Sequence, residues 1–394
     1  MRILHICSYT WDIGGPARMI HDHTQVAVAQ GHQVDILSPV SPNDKPYPAP
    51  TGSRLFTCQR TLPISRFFRE FSLELYQFLK KNRKQYDIIH CHGLWHWASI
   101  APFFFEDTPP IVVTIHGVLD PWARQQSQWK KSLMDKLMQK KFLAQAQLIH
   151  VFNPEEAQQL ADYFGYLPSN VIEIPNGIQL AEADNPPLKG TFRRQFSIPD
   201  TRPIVLFLSR INHKKGLDIL LEGFRQIISS QPEALLVIAG SDDGYLAQTE
   251  SFIQQYQLQD HIRLVGILTG EIKRAALTDA TIFALPSYSE GQSMAVLEAL
   301  LFGVPSLVSN RVGYGSILAE ETAACVVETN PEQIAAGLSN MLQNEAYRQT
   351  LRLNAPRLIR EKYDIEVVGK QLLAKYESVL STKQPRAAHP ATRS

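Results

Sequence analysis

Hydrophobic residues in this chain fall into short runs separated by longer stretches of helical periodicity. One set of runs covers Arg2–Ser8, Gln33–Leu37, Asp87–Cys91, Ile111–His116, Leu148–Phe152 and Val171–Pro175. A second set covers Ile204–Ser209, Ala234–Ala239, Ile262–Val265, Ile282–Leu285 and Pro305–Ser309. Most are rich in β-branched residues and lack clean alternation, as expected of parallel strands covered on both faces. Helices fit between them, and repeated βα units predict open, doubly wound sheets. The sets are divided at Gln179–Pro203, where LAEADNPPLKG reads as a linker rich in turn formers. The α/β reading is therefore two facing Rossmann-like domains, 1–180 and 204–362, joined by a linker over 181–203. A C-terminal helix over 363–380 has the option of crossing back to the N-terminal domain, and 381–394 reads as a disordered tail. Ligands in such sheets bind beyond the C-terminal strand ends, here also in the interdomain cleft.

The stretch SEGQSMAVLEALLFGVPSLVSN, 289 to 310, breaks the apolar pattern with two glutamates. Met294, Val296, Leu297, Leu300 and Leu301 predict a largely buried helix starting near Ser293 or Met294, and Gly303 and Pro305 end it. Glu290 then lies in the loop before the helix, where its carboxylate can accept hydrogen bonds from sugar hydroxyls. The amides of Met294 and Ala295 form an anion site. Glu298 lies more than a turn inside, and an unpaired buried charge is expensive. A ribose diol can supply two donors. A helix-dipole partner and an ordinary salt bridge are the plainer readings of the two acids.

Composition narrows the function class. A net charge of +1 gives no global field for nucleic acid. Cys7, Cys58, Cys91 and Cys325 are scattered without CxxC spacing, which points to reduced thiols in a cytoplasmic protein. The N-terminus lacks the apolar core and cleavage site of a signal peptide. No apolar run reaches the roughly 18 residues of a membrane span.

The remaining candidate chemistry lies at strand ends. Gly14 and Gly15, in SYTWDIGGPARMI, let a phosphate or sugar approach amides at a helix N-terminus. This is not GxGxxG, and Asp35, inside its strand, is a poor dinucleotide acid. In DIIHCHGLWHW, the residues His90, Cys91, His92 and His96 invite a metal reading, but no carboxylate or second thiol completes a set. A sugar-binding loop at His92, with Trp95 and Trp97 as apolar platforms, is the preferred functional reading, against a packed aromatic loop. His116 ends an apolar strand, where it can donate a hydrogen bond to a sugar hydroxyl or a developing charge. In SRINHKKG, two cations, Arg210 and Lys215, stand at a helix start, where they repel each other and the dipole. A diphosphate between them removes that cost.

Together these elements resemble the retaining glycosyltransferases of family 4, with the GT-B architecture. SRINHKKG is similar to that family's Arg-x4-Lys-Gly diphosphate loop and EGQSMAVLE to its Glu-x7-Glu element. AGSDDG, IRLVG, ALPSYSEG and IPNGI stand in the family's order, and the N-terminal GG loop and VVTIHG also fit. The resemblance covers about residues 1–380 and extends, through HGLWHW and HGVLDPWARQQSQWKK, to members acting in bacterial polysaccharide assembly. It implies that Arg210, Lys215 and the Met294–Ala295 amides hold the donor diphosphate. Glu298 would bind ribose, Glu290 and His116 the transferred sugar, and Ile267 the base. A nucleotide-diphosphate sugar would be co-substrate, with no cofactor and no metal. Two departures stand out: Gln292 and Ser293, where Phe-Gly is common, and Tyr314, where a second glycine is common.

Acceptors, glycan or lipid-linked, should meet the N-terminal domain. ISRFFREFSLELYQFLKKNRK mixes phenylalanines with basic residues. WKKSLMDKLMQKKFLAQ sets Lys130, Lys131, Lys136, Lys140 and Lys141 along a helix with Leu133, Met134 and Leu137. Peripheral contact with an anionic membrane, at the inner face of the cytoplasmic membrane, is the functional reading. A core-facing stripe with a solvated face is the plainer one. The lead function is a glycosyltransferase, and the alternative is a non-catalytic GT-B protein that binds nucleotide sugar or glycan.

Overall fold

The computed structural model describes residues 1–11, 14–120, 124 and 128–383. It divides into two compact units. The first comprises Met1–Phe152, Ala157–Gly177 and the chain from Ile365 onward; the second comprises Asn153–Glu156 and Ile178–Asp364.

The first unit carries a seven-stranded, wholly parallel sheet: β1 (Arg2–Ile6), β2 (Gln33–Val40), β3 (Arg54–Gln59), β4 (Ile88–His92), β5 (Ile111–Thr114), β6 (Leu148–Val151) and β7 (Val171–Glu173), in the order β3-β2-β1-β4-β5-β6-β7. The second carries a parallel six-stranded sheet: β8 (Ile204–Leu208), β9 (Leu235–Ala239), β10 (Ile262–Gly266), β11 (Ile282–Leu285), β12 (Ser306–Ser309) and β13 (Cys325–Val327), in the order β10-β9-β8-β11-β12-β13. In both, the order reverses next to the first strand. The α/β class and the doubly wound, Rossmann-like pattern are therefore as the sequence predicts.

Every predicted strand forms, with no end moved by more than three residues. Two strands escape the sequence reading, β3 and β13. Both are edge strands; β3 is largely solvent-facing and β13 has only three residues, so neither shows a buried apolar run. Residues 181–203 do not form a separate linker. Thr191–Gln195 is helical, Phe192 and Ile198 enter the core of the second unit, and Arg193 donates to the carbonyls of Pro199 and Arg202, both at 2.8 Å. The turn-rich composition conceals this because the apolar side chains that anchor the stretch, Phe192 and Ile198 with Ala183 and Phe196 at the margin, are few and scattered.

One face of the first sheet is covered by α1 (Gly15–Ala29) and by the C-terminal helix α2 (Ile365–Lys383). Val26 and Ala27 pack there with Val368, Leu372 and Tyr376. A Cβ at Gly369 would lie 2.8 Å from the Val26 side chain, so the two helices approach closely at a glycine. Residues 384–394, read as a tail, lie outside the described residues.

Candidate functional site

In the second unit β8 and β11 are neighbours, and the loops leaving their C-terminal ends lie side by side at the reversal point. That is where open α/β sheets bind ligands. The loop after β8 carries Arg210, whose Nη1 donates to Asp243 Oδ2 at 2.6 Å, and a short turn, His213–Lys215. Asn212 accepts from the Lys214 amide at 2.9 Å and donates to the Asp243 carbonyl at 2.8 Å, which ties this loop to the one after β9. Gly216 follows at φ 69°, and a Cβ there would sit 2.0 Å from the Pro286 carbonyl oxygen. Only glycine lets the two loops close to this distance. The closure sets the Lys215 ammonium against the Glu290 carboxylate, to which it donates; the side chains are 11% and 14% exposed. The main chain of Glu290 is fixed independently, through its amide to the Arg311 carbonyl (3.1 Å) and its carbonyl from the Gly313 amide (2.8 Å).

The helix α3 (Met294–Leu301) begins as predicted. Ser293 occupies the preceding position in extended conformation, but its hydroxyl makes no capping bond. Its carbonyl accepts the first helical bond, from the Leu297 amide at 3.1 Å, so the amides of Met294 and Ala295 precede the helical ladder. The same carbonyl accepts from the Tyr314 hydroxyl at 3.1 Å. The two departures from the family pattern therefore touch each other. Burial pushes the Tyr314 phenol well above its ordinary value, so it stays a donor.

Glu298 is buried, but its Oε1 accepts from Lys273 Nζ at 2.7 Å. Of the readings offered for Glu298, the ordinary salt bridge is the one that forms, so its burial is offset by an internal cation. Ile267 is exposed in the turn after β10.

In the first unit, strand alternation sends apolar residues and then imidazoles to one sheet face. Ile3 precedes His5 on β1, Ile88 precedes His90 and His92 on β4, Val112 precedes Thr114 on β5, and Leu148 precedes His150 on β6. The register pairs His5 with His90, His92 with Thr114, and Thr114 with His150. Two hydrogen-bonded chains result. One runs from the Tyr376 hydroxyl to His90 Nδ1 (2.6 Å), from His90 Nε2 to Thr114 Oγ1 (2.6 Å), on to His150 Nδ1 (2.8 Å), and from His150 Nε2 to the Ile174 carbonyl (2.8 Å). The other links His5 Nδ1 to His92 Nε2 (2.9 Å) and His92 Nδ1 to His116 Nε2 (3.0 Å). Burial lowers His5 and His150 to about 4 and His23 and His116 to about 3, and drives His90 and His92 well below their ordinary value. All are neutral at pH 7.

Two expectations for this loop are corrected. His92 is buried with both ring nitrogens engaged, so it offers no atom to a ligand. Trp95 and Trp97 are buried and present no platform. The Trp95 indole donates to Asp135 at 2.7 Å, and Trp97 packs among Phe68, Phe71 and Phe104. The packed aromatic loop is what forms. The metal reading also changes membership. Cys91 points to the opposite sheet face, where burial raises its thiol, and His96 pairs with Glu70 at 3.2 Å. Among the described residues, the set able to ligate an ion is His5, His90 and His92. Both nitrogens of His90 and of His92 are already in hydrogen bonds. Asp35 is structural, gripped by Arg54 at 2.7 and 2.8 Å and by the Tyr86 hydroxyl at 2.7 Å. Gly14 precedes α1 at φ 66° and Gly15 is its first residue. Sequence reasoning missed His5, His23, His150 and Lys273. The recurring histidine two places after an apolar residue, on three strands, was the available signal for His5 and His150.

Residues 189–358 match the family described as Glycosyl transferases group 1, and residues 13–182 match Glycosyltransferase Family 4. An uncharacterized glycosyltransferase of Methanocaldococcus jannaschii is 25% identical over 95% of this chain and 98% of its own length. A phosphatidyl-myo-inositol mannosyltransferase of Mycobacterium leprae is 24% identical over 97% of this chain and 98% of its own. Among solved structures, sucrose-phosphate synthase from Thermosynechococcus elongatus superposes with a TM-score of 0.82 at 21% identity, covering 97% of this chain and 100% of that one. HepE of Anabaena, solved in complex with UDP and glucose, superposes at 0.75 with 15% identity, covering 96% and 100%.

Proposed function

The chain belongs to the family 4, group 1 glycosyltransferases of GT-B fold, and from that premise we propose that it is a retaining enzyme moving a sugar from a nucleotide-diphosphate sugar to a hydroxyl of a glycan or lipid-linked acceptor. The observation carrying this reading is the convergence of Lys215, Glu290 and the start of α3 at the reversal point of the second sheet. Arg210, Lys215 and the Met294 and Ala295 amides hold the two phosphates. A diphosphate drawn to Lys215 relieves its pairing with Glu290, whose carboxylate then accepts from sugar hydroxyls. Glu298, already oriented by Lys273, accepts from the ribose, and Ile267 borders the base.

As the bond between the anomeric carbon and the diphosphate oxygen breaks, negative charge grows on the diphosphate, where the cations and the helix amides stabilise it. The acceptor hydroxyl attacks from the face the diphosphate leaves, so configuration is retained, and its proton passes to the departing diphosphate. These groups supply the charge stabilisation without a metal or cofactor. The M. leprae relative, by its name, uses a lipid acceptor, and HepE was solved with UDP and glucose; both support the donor and acceptor classes. Assembly of cell-surface polysaccharide, at the cytoplasmic face of the membrane, fits an acceptor of this kind. No helix among the described residues is long and apolar enough to cross a membrane. Contact is therefore read as peripheral, through the exposed Trp129, Leu133 and Leu137 among Lys130, Lys136, Lys140 and Lys141.

The test is release of nucleoside diphosphate from UDP-, GDP- and ADP-sugars, after thermal-shift selection of the donor. Lys215→Ala should lower kcat by roughly 10²–10³ with the fold retained. Unchanged turnover removes the phosphate role, and a donor that binds without ever being turned over favours the non-catalytic alternative.

A further inference from the structure

The second unit holds a cleft away from the proposed donor site. It opens at the N-terminal ends of β8, β11 and β12, where residues 201–203, 279–281 and 303–305 line it on the way into those strands. The loops carrying Arg210, Lys215 and Glu290 leave the opposite ends of the same sheet. The helix α3 runs between the two: it starts at Met294, close after Glu290, and its last residue, Leu301, lines the cleft. The volume is about 690 Å³, inside the roughly 300–1,000 Å³ of small-molecule sites.

The charges of the lining do not cancel. Asp279 and Arg193, both buried, belong to the wall. Asp279 accepts from the amides of Gly190 (2.6 Å) and Arg193 (3.1 Å), and Arg193 donates to the carbonyls of Pro199, Arg202 and Asp279. Arg352 pairs with Glu345 at 3.0 Å. Arg202 donates to the carbonyls of Glu233 (3.0 Å) and Ala234 (3.4 Å), which leaves its charge uncancelled. Lys189 and Arg360 are exposed, and their side chains meet no carboxylate among the described residues. Asp200 is the other acid of the lining. Lys189, Arg202 and Arg360 against Asp200 leave two positive charges in excess. A phosphate monoester, at about −1.5 to −2 near pH 7, matches them.

The lining also offers acceptors. Pro305 and Pro356 have no N–H, so neither the Leu301 nor the Arg352 carbonyl meets an amide four residues further on. Such oxygens at a helix end or proline kink are left to water or to a ligand. All four residues line the cleft. The Arg352 oxygen lies 3.3 Å from where a Gly303 Cβ would stand, so the end of α3 and the helix Glu345–Lys362 meet there with no side chain between them. Cations for an anion, beside bare carbonyls for hydroxyl donors, are what a phosphorylated polyol requires.

We propose that this cleft binds a compact phosphorylated polyol of sugar-phosphate size, with Lys189, Arg202 and Arg360 toward the phosphate and the Leu301 and Arg352 carbonyls toward hydroxyls. The site is separate from the donor site, and the proposal does not rest on the transfer reaction.

The experiment titrates the full chain by calorimetry with glucose 6-phosphate, glycerol 3-phosphate, inorganic phosphate, glucose and dihexanoyl phosphatidate. At least one of the two phosphorylated polyols should bind saturably, and about tenfold more tightly than inorganic phosphate or glucose, because each of those lacks half of the contacts. Lys189→Glu combined with Arg360→Glu, both at exposed positions, should abolish that binding while circular dichroism shows the fold retained. Lys215→Ala should bind as the wild type does. Absence of saturable binding of both phosphorylated polyols overturns the proposal, as does binding that survives the double variant. Loss of binding in Lys215→Ala also overturns it, by moving the ligand to the diphosphate loop. Inorganic phosphate binding as tightly as the polyol phosphates would make the cleft a bare anion site, and dihexanoyl phosphatidate binding more tightly than glycerol 3-phosphate would make it a lipid headgroup site; either result overturns the assignment.

Discussion

Acid should unfold the first unit long before its carboxylates titrate. His5, His23 and His150 are each no more than 4% exposed, and burial lowers them to about 4, 3 and 4. In the unfolded chain each returns to about 6.5. Below that value the unfolded state binds more protons than the folded one, so stability is complete above about pH 6.5 and falls with pH until the folded values near 4 are reached. Between pH 7.5 and 5.5 an unfolded histidine gains about 0.8 proton, and each of the three costs about 1.3 kcal/mol of stability. The sum is about 4 kcal/mol, against the roughly 5–15 kcal/mol that holds a domain together. His90 and His92 shift in the same direction. Carboxylates, ordinarily near 4, stay out of this window. The assay follows from the sequence: all five tryptophans, Trp11, Trp95, Trp97, Trp122 and Trp129, belong to the first unit. Urea titrations read by tryptophan fluorescence therefore report that unit alone. The midpoint should fall steeply from pH 7.5 to 5.5. His23→Leu isolates one term, because neither ring nitrogen of His23 has a hydrogen-bond partner among the described residues. It should leave stability at pH 7.5 unharmed and recover about 1.3 kcal/mol at pH 5.5. A fluorescence midpoint flat across this range, or a His23→Leu variant with the wild-type pH slope, refutes the reasoning.

Three further outcomes are expected. Gly216→Ala puts a Cβ against the Pro286 carbonyl at a left-handed φ, so it should lower the melting temperature and weaken nucleoside diphosphate binding more than tenfold by calorimetry; wild-type binding would mean that the two loops need not touch. Tyr314→Phe removes the hydroxyl held by the Ser293 carbonyl and should cost about 1 kcal/mol in urea unfolding while raising donor KM, and an unchanged KM would separate this bond from the donor site. Vesicles with anionic lipid should retain the protein at low salt better than neutral ones, and Leu133→Glu with Leu137→Glu should abolish the difference; equal retention on both vesicles counts against membrane contact.

How much the sequence disclosed depended on how local the cause was. The helix at Met294 was legible because its apolar residues, its preceding polar run and its terminating Gly303 and Pro305 lie within a dozen positions. The Lys215 and Glu290 neighbourhood was legible through two short motifs, although the glycine contact that joins them is a fact of packing between β8 and β11. The partner of Glu298 was not legible, since Lys273 comes from another helix, and burial of a charge names the need for a partner without naming which. Orientation inside the 92–97 loop was hidden too. Trp95 adopts φ 61°, and a single left-handed residue reverses which side chains face inward. The histidine cluster was half visible. Its repetition on neighbouring strands could be counted, but the register that aligns His5 with His90 and His92 with Thr114 belongs to the sheet.

The Tyr314 bond has an evolutionary reading. Its target is a main-chain oxygen, which every amino acid at position 293 would supply. The phenol thus fixes where α3 begins without constraining which side chain begins it. A lineage carrying this tyrosine could exchange residues 292 and 293, beside the proposed donor site, and keep the amides of Met294 and Ala295 in place. Replacing Tyr314 first would remove that tolerance, so the order of substitution matters: the anchor must precede the variation it permits.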